Sequence, residues 1–314
     1  MLDVSGLQIA FTLYEQGLKQ KRVMPIRSLD LEIKAGEVVA VVGSSGSGKS
    51  LLAHAILGIL PHNAEVLGEI RFQGERLTPQ RQAQIRGQQI ALIPQSVGYL
   101  DPLMPVGSQV QLAARRGSSP SADVEGIFRR YQLASTVRQY YPFQLSGGMA
   151  RRVLVSTAAI GSAQLVIADE PTPGLHPHVV TETLTHLRQL ADGGRAVMLI
   201  THDIEAALQI ADWIAVFYGG TTVEMARRED FRLAGNSGQS MPTGLRHPYT
   251  RALWAALPHN GFQSLPGSQP NSEERIAGCL FASRCGSVTE QCQGSLPPRQ
   301  TVAEGWVRCF HAQG

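Results

Sequence analysis

The feature that most constrains this chain is the run Val38-Val39-Ala40-Val41-Val42, which leads without a break into Gly43-Ser44-Ser45-Gly46-Ser47-Gly48-Lys49-Ser50. Five consecutive apolar residues read as a strand buried on both faces, as in a parallel sheet covered by helices. The next eight fit GxxxxGK[ST] in full. The apolar-rich segment Leu51 to Leu60 reads as the helix behind them, stopped by Pro61. Glycines let successive backbone N–H groups turn towards phosphate oxygens, and the helix N-terminus adds its positive end. Lys49 is expected to reach the β- and γ-phosphates and Ser50 to ligate Mg2+. Such a run can also be a flexible Gly/Ser turn, but the strand before it and the helix after it argue for phosphate.

Two more buried-strand runs, Leu165 to Ala168 and Ala196 to Ile200, flank a helical segment. Strand, helix, strand at this spacing predicts a parallel α/β sheet. The first run ends in Asp169-Glu170, which places both acids at the carboxyl edge of the sheet beside the phosphate loop. There Asp169 is suited to hold Mg2+, through a water, and Glu170 to polarise an attacking water. Alone, an acidic pair after a strand is often a solvated loop start. At the N-terminus, alternating Leu2, Val4, Leu7, Ile9 and Phe11 predict a strand. A polar excursion over 12–25 and a second strand through Leu29, Leu31 and Ile33 follow. Residues 77–160 are richer in helical patterns. From about 232 the texture changes: Gly, Ser, Pro and Gln dominate 234–244 and 258–272, read as linkers around a short helix from Pro248 to Leu257. No internal repeat is visible.

At 314 residues the chain has room for about two domains, or one large domain with an appendage. With 43% hydrophobic and 17% charged residues it can bury a core. Lys+Arg 28 against Asp+Glu 25 is too balanced to predict a polyanion-binding surface. The apolar runs fall far short of the ~18 residues of a membrane span. The N-terminus carries Asp3 and no basic cluster before an apolar run, so it does not read as a signal peptide. A cytoplasmic location is expected, with docking on a membrane protein left open. All four cysteines, Cys279, Cys285, Cys292 and Cys309, lie in the last 36 residues. Structural disulfides are not expected in that compartment. Four thiolates satisfy either tetrahedral zinc or a [4Fe–4S] cube, and the missing tight CxxC knuckle argues mildly against a zinc ribbon. Glycine and proline around Cys279, Cys285 and Cys292 favour a wrapped loop over a helix or sheet.

Further motifs fall in order: Gln95 in Leu92-Ile93-Pro94-Gln95; Leu145-Ser146-Gly147-Gly148-Met149, with Ser146 23 residues before Asp169; Pro171-Thr172 after the acids; and His202 in Leu199-Ile200-Thr201-His202-Asp203. With the phosphate loop this set resembles the ATP-binding cassette (ABC) ATPases over roughly residues 1–230, in the order Walker A, Q-loop, signature, Walker B, H-loop. The resemblance implies an α/β P-loop core (1–231) with a helical subdomain at about 77–160. It also implies a head-to-tail dimer that sandwiches two ATP molecules. Gly43 to Ser50 and Leu51 would hold one nucleotide, and Ser146, Gly147 and Gly148 would contact the γ-phosphate of the partner's. Gln95 would sense Mg2+ and a transmembrane subunit, and His202 would hold the γ-phosphate and the water in line. An aromatic residue of the first strand would stack on adenine, Phe11 in preference to Tyr14.

Arg246-His247-Pro248-Tyr249-Thr250-Arg251-Ala252-Leu253 and Gly278-Cys279-Leu280-Phe281-Ala282-Ser283-Arg284-Cys285, with Cys292 and Cys309, look like the C-terminal extension of the oligopeptide, dipeptide and nickel importer ATPases. Tyr99-Leu100-Asp101-Pro102 resembles that group too. The resemblance implies a second region (232–314) whose four cysteines hold a [4Fe–4S] cluster, with zinc as the alternative. It implies import of peptides, or of nickel or a metal chelate. It also implies a second ABC ATPase subunit, two transmembrane permease subunits and an extracytoplasmic substrate-binding protein, with this chain peripheral on the cytoplasmic face of the inner membrane. A soluble ABC ATPase acting on nucleic acid or ribosomes usually has two cassettes or a long coiled coil, so no nucleic-acid partner is expected. Two departures stand out. Pro173-Gly174-Leu175-His176 puts a histidine where the family's interface loop usually ends in an acid, which favours a heterodimer. Ala150-Arg151-Arg152 replaces the usual basic-Gln-Arg after the signature.

Overall fold

β1 (Leu2–Tyr14) and β2 (Gln20–Ile33) pair antiparallel, Ile9 opposite Ile26 and Phe11 opposite Val23. Of the excursion expected over 12–25, residues 12–14 and 20–25 are thus strand, because cross-strand pairing carries both polar ends beyond the hydrophobic alternation, and 15–19 lie outside the described residues. The structure is a computed structural model and describes residues 1–14, 20–118, 121–231, 244–260, 262–274 and 276–312. β3 (Val38–Gly43) is buried at every residue. α1 (Lys49–Leu57) follows the phosphate loop. It ends before Pro61, because Gly58 takes the left-handed conformation (φ 63°) and its N–H bonds back to Ala55. β4 (Ala64–Phe72) returns to pair with β1, and β5 (Glu75–Arg76) pairs with β4.

The stretch 77–160 is not helical throughout. After α2 (Pro79–Ile85) comes β6 (Ile90–Ile93), a strand of the main sheet. Its apolar run is too short for a helix and has a sheet neighbour to pair with. α3 (Val106–Arg116), α4 (Val124–Arg130) and α5 (Gly147–Ala159) then share a core of their own, including Val106, Val110, Phe128, Leu133 and Val153.

β7 (Leu165–Asp169), α6 (Pro177–Asp192), β8 (Ala196–Thr201), α7 (Ile204–Ile210) and β9 (Trp213–Tyr218) complete the parallel part. β3 lies between β8 and β9, and β7 between β8 and β6, all parallel. The alternation of β3 divides the interior: Val38, Ala40 and Val42 face one core, Val39 and Val41 the other. β10 (Thr221–Arg227) turns back antiparallel on β9.

The expected boundary at 231/232 and most of the linker 234–244 lie outside the described residues. Beyond them, α8 (Pro248–Ala255) packs Tyr249 and Trp254 into the core that holds Val38 and Ala40. α9 (Glu290–Gly294) carries Cys292, so this cysteine sits on one helical turn and not on the expected loop. β11 (Gln300–Val302) and β12 (Gly305–Val307) form a short hairpin, and β12 pairs with β10 at Glu224 and Met225. The chain end is therefore stitched into the sheet of the core. Among the described residues, no helix is long and apolar enough to cross a membrane.

Candidate functional site

Three neighbouring strands deliver the site. β3 ends in the phosphate loop, β7 in Asp169-Glu170 and β8 in Thr201-His202. Two glycines fix the loop. A Cβ on Gly43 would lie 2.4 Å from the Phe217 carbonyl oxygen. Gly48 has φ +93°, and a Cβ there would meet Ile26 Cγ1 at 2.9 Å. Lys49 Nζ donates to the Gly43 and Ser44 carbonyls at 2.8 and 3.0 Å. Burial lowers its pKa, with Glu170 and Asp169 pulling the other way. Ser47 is buried and its hydroxyl has no hydrogen-bond partner, the kind of orphan a phosphate oxygen would satisfy. Leu51 packs its side chain against the core beneath the loop.

Ser50 Oγ donates to Asp169 Oδ1 at 3.2 Å. Burial pushes the Asp169 carboxyl up, and the Ser50 hydrogen bond pulls it partly back. Glu170 is buried and left-handed (φ 47°), a strained backbone for a residue with a side chain. His202 Nδ1 lies 2.9 Å from Glu170 Oε1, and Thr201 Oγ1 donates to Glu170 Oε2 at 3.5 Å. A carboxylate only accepts, so the His202 proton sits on Nδ1. Nε2 is left to accept from water or, in the imidazolium form, to donate to a phosphate oxygen. The His202 side chain is 58% exposed against 9% for Glu170, so the pair opens outward through the histidine.

The structure thus brings Lys49, Ser50, Asp169, Glu170 and His202 together. Gln95 and the signature are held apart from that cluster of contacts. Gln95 is exposed, just past β6. Ser146 caps α5, accepting from the Met149 N–H at 3.3 Å. A Cβ on Gly147 would meet nothing within 4 Å, so the helix N-terminus faces open space. Arg151 is buried and donates to the Pro94 carbonyl at 2.8 Å, tying α5 to the Gln95 loop. Arg152 Nη1 donates to the Tyr131 and Gln132 carbonyls. His176 immediately precedes α6, makes no side-chain cap bond and lies beside His178, with their Nδ1 atoms 2.9 Å apart. Phe11 is half-buried against the core, and Tyr14 is exposed.

The four cysteines are free. The Cys279 thiol is pushed up to about 11, mainly by burial, with a hydrogen bond from Phe281 opposing and the other three thiols adding. Cys279 N–H bonds to the Cys292 carbonyl at 2.7 Å. Sequence reasoning missed His311, whose Nε2 is 3.5 Å from Cys292 Sγ. Among the described residues, no group of three or more His, Cys, Asp or Glu is arranged to hold a metal ion. The donor chemistry suits a thiolate-bound centre; the arrangement is not that of a formed site.

A P-loop backed by a Walker B acid pair and a histidine on the next strand defines the class: an ATPase of the ATP-binding cassette type. The comparisons agree. The family profile described as ABC transporter matches residues 26–173, and that described as oligopeptide/dipeptide transporter, C-terminal region, matches 238–292. The oligopeptide transport ATP-binding protein OppD of Salmonella typhimurium is 31% identical over 328 residues, covering 99% of this chain and 93% of that protein. The dipeptide transport ATP-binding protein DppD of Escherichia coli is 33% identical over 310 residues, covering 90% and 89%. A dimeric ATP-binding cassette bound to ADP and Pi superposes with a TM-score of 0.63 at 23% identity, over 73% of this chain and 99% of that one. The chain belongs to the oligopeptide/dipeptide transporter family of ABC ATP-binding proteins.

Proposed function

We propose that this chain hydrolyses ATP to energise peptide import across the cytoplasmic membrane, with Glu170 as the base. The observation that supports this most is the Glu170–His202 contact of 2.9 Å beside the Ser50–Asp169 pair. Gly43 to Leu51 would seat the triphosphate, with Lys49 on the β- and γ-oxygens and Ser47 supplying its unpartnered hydroxyl. Ser50, Asp169 and Gln95 would hold Mg2+, which when bound neutralises charge on the phosphates. Glu170 takes a proton from the attacking water as that oxygen bonds to the γ-phosphorus and the bond to ADP breaks. His202, oriented by Glu170, keeps the phosphate and water in line. Ser146, Gly147 and Gly148, at an uncovered helix N-terminus, would complete the partner's site. Phe11 would stack on adenine.

The relatives named for oligopeptide and dipeptide transport support peptides as the cargo. The partners would be two permease subunits, an extracytoplasmic binding protein and a second ABC ATPase, with the chain peripheral on the cytoplasmic face. A heterodimer is favoured because His176 stands in the interface loop. Subunit counting in the purified transporter tests that; two copies of this chain and no second ATPase would refute it.

Four free thiols within electrostatic reach of one another support a [4Fe–4S] centre with a structural role, which would require them to converge further. Anaerobic protein should then be brown with about four irons per chain; colourless protein with one zinc would refute the cluster. The ATPase reading is tested by Glu170→Gln. ATP binding should persist while turnover falls at least about 100-fold. Near-normal hydrolysis would sink the assignment.

A further inference from the structure

We propose that Gln269, carried by the C-terminal extension, is a positioning residue for the phosphate loop, clasping Ser44 and Ser45 so that the loop is preset for nucleotide. The inference rests on the reading of that loop as the ATP site.

Ser44 Oγ donates to Gln269 Oε1 at 2.7 Å, and Gln269 Nε2 donates to the Ser45 carbonyl at 3.3 Å. One amide therefore spans two successive loop residues from a segment more than two hundred residues away. It engages a hydroxyl and a carbonyl only. Neither contact consumes a loop N–H, the groups a phosphate needs. Within the loop, Lys49 Nζ already holds the Gly43 and Ser44 carbonyls. The same backbone is thus braced by Lys49 and by the extension.

The clasp is itself anchored. Before Gln269, Arg284 donates to the Leu265 and Pro266 carbonyls at 3.0 and 2.8 Å and to the Tyr218 hydroxyl at 3.1 Å. After it, the Met24 N–H bonds to the Ser272 carbonyl at 2.9 Å, and Arg27 Nη2 to the Asn271 carbonyl at 3.1 Å. β2, which carries Met24 and Arg27, also abuts Gly48 at Ile26. Tyr249 of α8 is a second approach to the loop, lining one cleft with Ser44 and Ser45. That cleft, of about 310 Å³, separates α8 from the 265–269 segment beside these contacts. Arg284 lies between Cys279 and Cys285, so the segment that braces the loop is tied to the cysteine region by one side chain. Ordering a binding loop before its ligand arrives removes an entropy cost from binding. Nothing in the clasp touches Glu170 or His202, so it acts on affinity and not on the chemical step.

The test uses the full-length chain and MgATP. Gln269→Ala should weaken nucleotide binding about fivefold, the worth of one net hydrogen bond, with kcat in the assembled transporter held within about twofold. Ser44→Ala should weaken binding too, and the two effects should combine to less than their product in the double variant, because both singles remove the Ser44–Gln269 bond. Gln269→Glu keeps size and acceptor but loses the donor and adds charge beside the phosphates. It should bind at least as weakly as the alanine variant, and it keeps the proposal testable should the alanine variant fail to fold. Wild-type affinity in Gln269→Ala, or effects that multiply in the double variant, would overturn the clasp. A wild-type chain that bound no MgATP would overturn the ATPase reading, and the clasp with it.

Discussion

The phosphate site and the cysteine-bearing extension are built by opposite means. The phosphate site hangs on β3, β7 and β8, adjacent strands whose residues are all buried. Their carboxyl ends put Lys49, Asp169, Glu170 and His202 within reach of one another without any loop packing of their own. Among the described residues, the extension's own cluster holds Val307, Cys309 and Ala312, with Val302 against it, while its Leu245, Tyr249, Trp254, Leu280 and Phe281 are buried in the core of the main body. Its own cluster is too little apolar surface to hold a fold. It is held to the main body by those apolar side chains and by buried polar groups. Glu224 accepts the Arg246 and His247 N–H groups at 2.8 and 3.1 Å, and Arg308 pairs with Asp30. A site on a sheet edge inherits rigidity; an appendage without a core of its own borrows that of the main body and adds charged staples.

The staples are where that contrast breaks most easily. Arg308 and Asp30 have side-chain exposures of 13% and 10%, and Arg308 Nη2 donates to Asp30 Oδ2. Arg308→Ala would leave Asp30 buried with the Gly6 N–H at 3.0 Å as its remaining support. The expected loss is about 3 kcal/mol, the low end for halving a buried pair. It should appear in denaturant unfolding and as faster proteolysis of 300–312, while MgATP affinity stays within about twofold. A fall in affinity as large as the fall in stability would show that the two regions are not separable.

His247 gives a smaller effect with a defined pH window. Its Nδ1 accepts from the Tyr249 N–H, capping α8. Burial drives its pKa down to about 3. In the unfolded chain it titrates near 6.5. Its contribution is complete above about pH 6.5 and is lost as pH falls, since only the unfolded chain takes up the proton. From pH 7 to pH 5 that is about 2 kcal/mol. Glu224 works the other way: burial raises its pKa, so protonation favours the fold as pH falls through that raised value. His247→Asn keeps a capping side chain without the titration. Measured by tryptophan fluorescence in denaturant, wild type should lose about 2 kcal/mol more than the variant between those pH values. Equal losses would refute the His247 account.

The same contrast explains what could be read in the sequence. The phosphate loop, Asp169-Glu170 and the strands beneath them are contiguous signals, each carrying its own hydrophobic context. Gly58 ended a helix three residues early through a backbone conformation that any Gly makes available but does not announce. β6 hid in a helix-rich stretch because a four-residue apolar run has no period to measure. The contacts of Arg151, Glu224, Gln269 and Arg308 left no trace. Their partners Pro94, His247, Ser44 and Asp30 lie 57, 23, 225 and 278 residues away, and no local pattern encodes such a contact. Cys292 took a helical turn where glycine and proline pointed to loop, since Thr289 and Glu290 begin a helix before Gly294 can interrupt it.

The finest division lies inside the nucleotide site, between its phosphate end and its base end. The phosphate end is made of backbone and charge. The base end, in the proposed reading, rests on one ring. Phe11 sits opposite Val23 and Ala64, half-buried against the core, while Tyr14 pairs with Gln20 and is 69% exposed. Ile26, which abuts Gly48, pairs with Ile9, so Phe11 is nearer the loop along β1 than Tyr14 is. Phe11→Ala should weaken ATP binding about fivefold, roughly 1 kcal/mol of stacking, and Tyr14→Ala should change it less than twofold. Stacking tolerates any base, so GTP should lose as much as ATP. Inorganic tripolyphosphate has no ring, and its affinity should not change in either variant. An equal loss for tripolyphosphate would mean that Phe11 shapes the loop through packing. A loss confined to Tyr14→Ala would move the base to the end of β1.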